Sequence, residues 1–87
     1  MRIWIKQFKD NKLLREMVSE RNEDDTRTHK VFAALEEACL EFDLSKPMWF
    51  DKNIKEFKNH SRTRFYQDNF IDEIPFEYLD FHVIEED

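Results

Sequence analysis

Met1, Ile3 and Ile5 alternate with Arg2, Trp4 and Lys6, and this period of two predicts a strand with one apolar and one polar face. A second run, Leu13 to Glu20, follows Asp10-Asn11. Asn and Asp tolerate positive φ better than any residue except glycine, so the chain is expected to open on a β-hairpin. From Thr26 to Phe42 the period changes to 3.6. Val31, Ala34, Leu35, Ala38, Cys39 and Phe42 fall on one arc with Phe32 on its flank, while Lys30, Glu36, Glu37 and Glu41 lie outside it, the pattern of an amphipathic helix. Asp24, Asp25 or Thr26 can accept hydrogen bonds from the free amides at its start. Leu40 and Ala33 depart from the stripe.

Pro47 ends any helix before it, and Met48-Trp49-Phe50 forms a short apolar patch. Asp51 is expected to cap a second, shorter helix through Asn59, with Ile54 and Phe57 sharing a face. Arg62 to Gln67 predicts a third strand, with Arg62, Arg64 and Tyr66 on one side and Thr63, Phe65 and Gln67 on the other. Asp68-Asn69 suits a turn. Beyond Pro75, Phe76 to Ile84 predicts a last strand directing Leu79, Phe81 and Val83 inward, and Glu85 to Asp87 a solvated acidic tail. The order ββααββ predicts an α+β fold: an antiparallel sheet of about four strands with one long and one short helix on one face. Residues 1–87 are expected to form one domain, since no linker, repeat or low-complexity run divides them.

Composition narrows the functions such a domain can have. The 87 residues contain no glycine, and phosphate-cradling loops, dinucleotide-binding turns and the GxSxG nucleophile elbow all need glycine backbone. The single Cys39 cannot form an internal disulfide. The first twelve residues lack the apolar stretch of a signal peptide, and the longest apolar run, Val31 to Leu35, is far short of a membrane span. A soluble cytoplasmic protein with no membrane partner is expected.

Catalytic chemistry finds little footing. Cys39 lies on the apolar arc, where a thiol acts as a small hydrophobe, and His29 is about 15 Å from it along the same helix. His29, Cys39, His60 and His82 have none of the spacings by which one segment supplies two metal ligands. No catalytic residue, metal site or cofactor is therefore assigned, and an enzyme is not the expected class.

The net charge of −6 conceals a pattern. Residues 46–67 hold six Lys/Arg and two Asp/Glu, whereas residues 68–87 hold eight acids and no Lys or Arg. Lys52, Lys55, Lys58, Arg62, Arg64 and Tyr66 make a candidate anion or single-stranded nucleic-acid site, with guanidinium groups beside a ring that could stack on a base. The competing expectation is that Arg62 and Arg64 meet Glu77 or Asp80 on a neighbouring strand. Thirteen aromatic residues first of all build a small core, but Trp4, Leu40 and Trp49 are candidates for an interface. The leading expectation is a non-catalytic protein-interaction domain, with a protein partner or self-association favoured over nucleic acid. The basic patch is the alternative, and a small acid/base enzyme comes third.

Overall fold

The computed structural model describes all residues from Met1 to Asp87. The strands are β1 (Arg2–Lys9), β2 (Lys12–Glu20), β3 (Arg62–Tyr66) and β4 (Tyr78–Glu85), and the helices are α1 (Arg27–Glu41) and α2 (Asp51–His60). All strand pairs are antiparallel, in the order β2-β1-β4-β3. The fold is the expected ββααββ arrangement, with the first and last strands side by side at its centre. No helix is long and apolar enough to cross a membrane.

The alternating pattern sorts the sheet into two faces. Ile3 and Ile5 of β1, Phe65 of β3, and Leu79, Phe81 and Val83 of β4 join the apolar arc of α1 in one core. α1 lies over β1 and β2, and α2 lies along β3. Phe57 of α2 and Phe70, Ile74 and Phe76 complete the core. One residue outside the apolar arc is buried: Lys30 lies under the chain end, its ammonium 2.5 Å from Asp87. The last residues stay exposed but are tethered, for Glu85 extends β4 and Glu86 pairs with Arg27.

Turns in this glycine-free chain fall where left-handed backbone is tolerable or compensated. Asp10 and Asn11 both have positive φ, 52° and 64°, as a two-residue hairpin loop of this kind requires. Thr26 caps α1, its side chain accepting from the His29 amide. At the other end Asp43 adopts φ 56°; the Leu44 amide donates to the Cys39 carbonyl and the Asp43 amide to the Leu40 carbonyl. This is the Schellman arrangement with aspartate in the position usually held by glycine. Ser61 closes α2 in the same left-handed region, with φ 54°.

Three boundaries differ from the sequence pattern. α2 is capped from within: Phe50 holds the cap position and Asn53 Oδ1 accepts from its amide, while Asp51 is the first helical residue. Gln67–Asn69 is a single 3-10 turn with negative φ. β4 begins at Tyr78, since Phe76 turns into the core; the Glu77 amide just ahead of the strand donates to the Phe8 carbonyl of β1.

Asp43 combines a left-handed backbone with a negative charge at a helix C-terminus, both unfavourable. Asp43→Gly should raise stability by about 0.5–1 kcal/mol, since relief of both outweighs the extra freedom glycine has in the unfolded chain. Urea or thermal unfolding measures it, with Asp43→Ala as the control that keeps the backbone penalty.

Candidate functional site

Two surfaces collect the residues that could act on another molecule. The first is the helix-free face of the sheet. Alternation places Trp4, Lys6 and Phe8 of β1 there, beside Tyr78, Asp80 and His82 of β4 and Arg62, Arg64 and Tyr66 of β3. Register puts Asp80 between Lys6 and Arg64. Although no helix covers this face, Asp80 is 0% exposed, roofed by its neighbours' side chains. Arg62 grips it through two hydrogen bonds from Nε and an Nη, and the Lys6 ammonium lies 3.6 Å away. Burial pushes the Asp80 carboxyl up, but the Arg62 bond and the charges of Arg62, Lys6 and Arg64 together outweigh it, leaving the pKa below the ordinary value. His82 beside it is shifted down, by burial first and then by the Arg62 and Lys6 charges.

Arg64 and Lys52 make no ion pair. The Arg64 guanidinium lies 4.5 Å from the centre of the Tyr78 ring and the Lys52 ammonium 5.4 Å from that of Tyr66. Tyr66, Tyr78 and Phe8 form a row across three strands, with ring centres 5.5 and 5.4 Å apart. Between β3 and α2, Lys52, Glu56, His60, Arg62, Arg64 and Tyr66 line a polar hollow of about 330 Å3. Four of the six residues picked from the basic segment thus come together. Lys58 lines a different hollow, and Lys55 lines neither. Glu56 brings a carboxylate into the basic hollow, where it accepts from Thr63 Oγ1.

The second surface lies between the helices. Trp49, half-buried, is the hub of the aromatic core, with Phe57, Phe65 and Phe81 at 5.5, 5.0 and 6.2 Å, all edge to face. Its remaining side supports Phe32, 6.2 Å away and 50% exposed. Val31 and Phe32 of α1, Trp49, and Ile54 and Phe57 of α2 form a groove of about 300 Å3, with Arg27 and Lys58 at its rim. A second hollow of about 330 Å3 continues past Phe32 and Trp49 to Pro47, Leu35, Glu36 and Lys46. Lys46 and Lys58 make no ion pair; Arg27 is held by Glu86 through two contacts of 3.0 Å. Phe32 was legible as a flank position of its helix and Ile54 as sharing a face with Phe57, but the loop that seats Trp49 between them was not.

The three interface candidates from the sequence are scattered. Trp4 is half-buried on the helix-free face, its indole nitrogen donating to Glu16 and its ring under the Lys6 ammonium. Leu40 is 79% exposed and lines none of these hollows. Only Trp49 belongs to the groove, as its floor.

The nucleophile candidates are not assembled. Cys39 is buried, and its thiol pKa is pushed up to about 11, by burial first, with Glu36 adding and Lys46 opposing. No serine or threonine hydroxyl bonds an imidazole; His29 pairs with Asp25 at the surface. No known protein family, curated protein or solved structure matches this chain.

Asp80 has a lowered pKa in the folded protein, so its contribution to stability is complete above the ordinary carboxylate range and is lost as pH falls through the lowered value. Asp80→Asn should cost about 2–3 kcal/mol at neutral pH, because it strands Lys6 and the half-exposed Arg62. It should also flatten the fall in stability below about pH 4. Urea titrations of both proteins from neutral to acid pH measure the two effects.

Proposed function

We propose that this protein is a non-catalytic interaction module whose docking surface is the groove between α1 and α2. The observation that carries the reading is the Phe32–Trp49–Ile54 surface: large apolar side chains left half-exposed over a floor continuous with the core. Concave apolar surface with a polar rim is what recognition sites offer. Aromatic residues held rigidly lose little entropy when a partner covers them. The rim of the groove carries Lys58, free of ion pairs, and the hollow that continues it carries an unpaired Lys46 beside one acid, Glu36. The occupant that fits is a protein segment with an aliphatic or aromatic anchor flanked by acidic residues. The raised pKa of the one thiol and the separation of the imidazoles from hydroxyl groups weigh against covalent catalysis.

The basic hollow along β3 supports a second reading, an anion or single-stranded nucleic-acid site, through Arg64 and Lys52. It ranks behind because Asp80 takes up Arg62 and Lys6, and because the faces that could stack on bases are covered. Tyr66 and Tyr78 pack on one another and carry Lys52 and Arg64. A labelled oligonucleotide titrated over a salt series distinguishes the two. Binding at low salt that is lost in Arg64→Ala would favour the anion site; none is expected.

The groove is tested with a panel of short labelled peptides, each with one aromatic or branched aliphatic residue between aspartates. Trp49 emission is read in a Trp4→Phe background. Saturable binding is expected, at least tenfold weaker in Phe32→Asp and in Ile54→Asp, and several-fold weaker in Lys58→Glu. Both apolar positions are solvent-facing, so these variants should stay folded. Binding unchanged in Phe32→Asp and Ile54→Asp, or no binding by any peptide of the panel at a concentration where the protein is monomeric, would overturn the proposal.

A further inference from the structure

The chain itself carries a segment of the kind this groove fits. Between β3 and β4, Phe70, Ile74 and Phe76 are anchored in the core, while Ile71 is 84% exposed, the most exposed of the large apolar side chains. Acids surround it: Asp68, Asp72 and Glu73 are all exposed and none makes an ion pair within the chain. The loop is held in shape by Gln67, whose Nε2 donates to the Asp72 carbonyl and whose Oε1 accepts from the Ile74 amide, each at 2.9 Å. Ile71 is thus a preformed apolar knob in an acidic collar. The groove is an apolar hollow with Lys58 unpaired at its rim, and with Lys46 unpaired beside Glu36 in the hollow that continues it. Each half lacks inside the chain what the other supplies.

We infer that a second copy of this chain is the groove's occupant: Ile71 of each copy enters the hollow between Phe32 and Ile54 of the other, with Asp68, Asp72 and Glu73 facing the partner's lysines. This rests on the groove being a docking surface. The knob and the groove wall adjoin in one chain, because the Met48 amide donates to the Asn69 carbonyl at 2.7 Å, next to Trp49 on one side and two residues from Ile71 on the other. Adjoining complementary patches can be exchanged reciprocally about a two-fold axis, which closes the assembly at a dimer. Met48, itself half-exposed, joins the two patches along the backbone. Holding the loop in shape before contact lowers the ordering cost of association.

The test is sedimentation equilibrium of the full chain up to about 1 mM, where even a weak complex is populated. A reversible dimer is expected, weakened several-fold by raising salt, because the charges meet at a solvent-accessible rim. Ile71→Asp and Ile54→Asp should each lower the association constant at least tenfold, and Ile71→Ser gives the same reading without added charge. An equimolar mixture of Ile71→Asp and Ile54→Asp should recover pairs held by one intact knob and one intact groove. A monomer at every concentration overturns the inference, as does a dimer indifferent to Ile71 or one unaffected by Phe32→Asp and Ile54→Asp. Assemblies that grow past two overturn the two-fold exchange. A monomeric protein whose groove still binds the peptide panel leaves the docking surface standing and removes only the second copy as its occupant. A monomeric protein that binds no peptide removes both.

Discussion

The two side-chain amides of Asn53 and Asn69 hold together everything on the β3 side of the molecule. Asn53 Oδ1 accepts from the Phe50 amide and from Asn69 Nδ2, at 3.0 and 2.9 Å, while its own Nδ2 donates to Thr63 Oγ1 and to the Arg64 carbonyl. Asn69 Nδ2 also donates to the Met48 carbonyl at 2.7 Å, and its Oδ1 accepts from the Tyr66 amide. Both residues are buried, all four N–H donors of their amides are used, and both amide oxygens accept. An unpaired amide in such surroundings would cost several kcal/mol, so the network exists only if all its members are in place. It thereby fixes four segments at once: the Met48–Phe50 connector, the start of α2, β3 and the 3-10 turn. The seat of Trp49, the wall of the groove and the base of the Ile71 loop are consequences of this one cluster.

On the opposite face the same edge strand is secured by charge. Arg62 reaches back from β3 to Asp80 of β4, and Lys6 approaches from β1, so three strands share one carboxylate. This is why the basic and acidic stretches of the sequence do not appear as two opposed surfaces: β3 and β4 are neighbours, and antiparallel pairing brings Arg64 opposite Asp80 and Arg62 within reach of it. Within the basic stretch, the positive charge that forms no ion pair lies at the margins: on Lys52 and Arg64 at one edge, on Lys46 and Lys58 beside the groove, and on Lys55 in neither place.

The fold was legible because periodicity reports burial directly. The alternation in Met1 to Lys6 and the arc of Val31 to Phe42 each named the face that packs, and Asp10-Asn11 named the hairpin turn by the backbone geometry it tolerates. The site was legible only in pieces. Lys52, Lys55 and Lys58 read as one basic series, yet on a helix an interval of three drifts by about 60° each step, so Lys52 and Lys58 reach different hollows. The groove could not be read because its floor comes from Trp49, in a connector without periodicity, and the position of that connector depends on Asn53 and Asn69. Lone polar residues such as these look like surface positions until the fold closes over them. Ile71 was invisible because it lies between Asp68-Asn69 and Pro75, in a stretch with no regular period to separate it from Phe70 and Ile74, which the fold buries.

The absence of glycine bears on what kind of recognition this scaffold can support. Backbone amides left open for a ligand usually lie where glycine lets the chain turn its N–H groups outward, whereas here the left-handed positions at Asp43 and Ser61 spend their amides capping their own helices. Recognition is left to side chains, and the exposed ones sort by rigidity. Leu40 stands alone on a helix, a single exposed leucine of the kind any soluble surface carries. Phe32 packs on an immobile indole, Ile54 sits on a helix pinned by Asn53, and Ile71 rides on a loop bracketed by Gln67. Folding gains little from leaving these three in water, and each is held by a neighbour that is itself fixed. Side chains ordered in advance and left uncovered are costly only until a partner arrives, and that is the physical case for reading this surface as an interface.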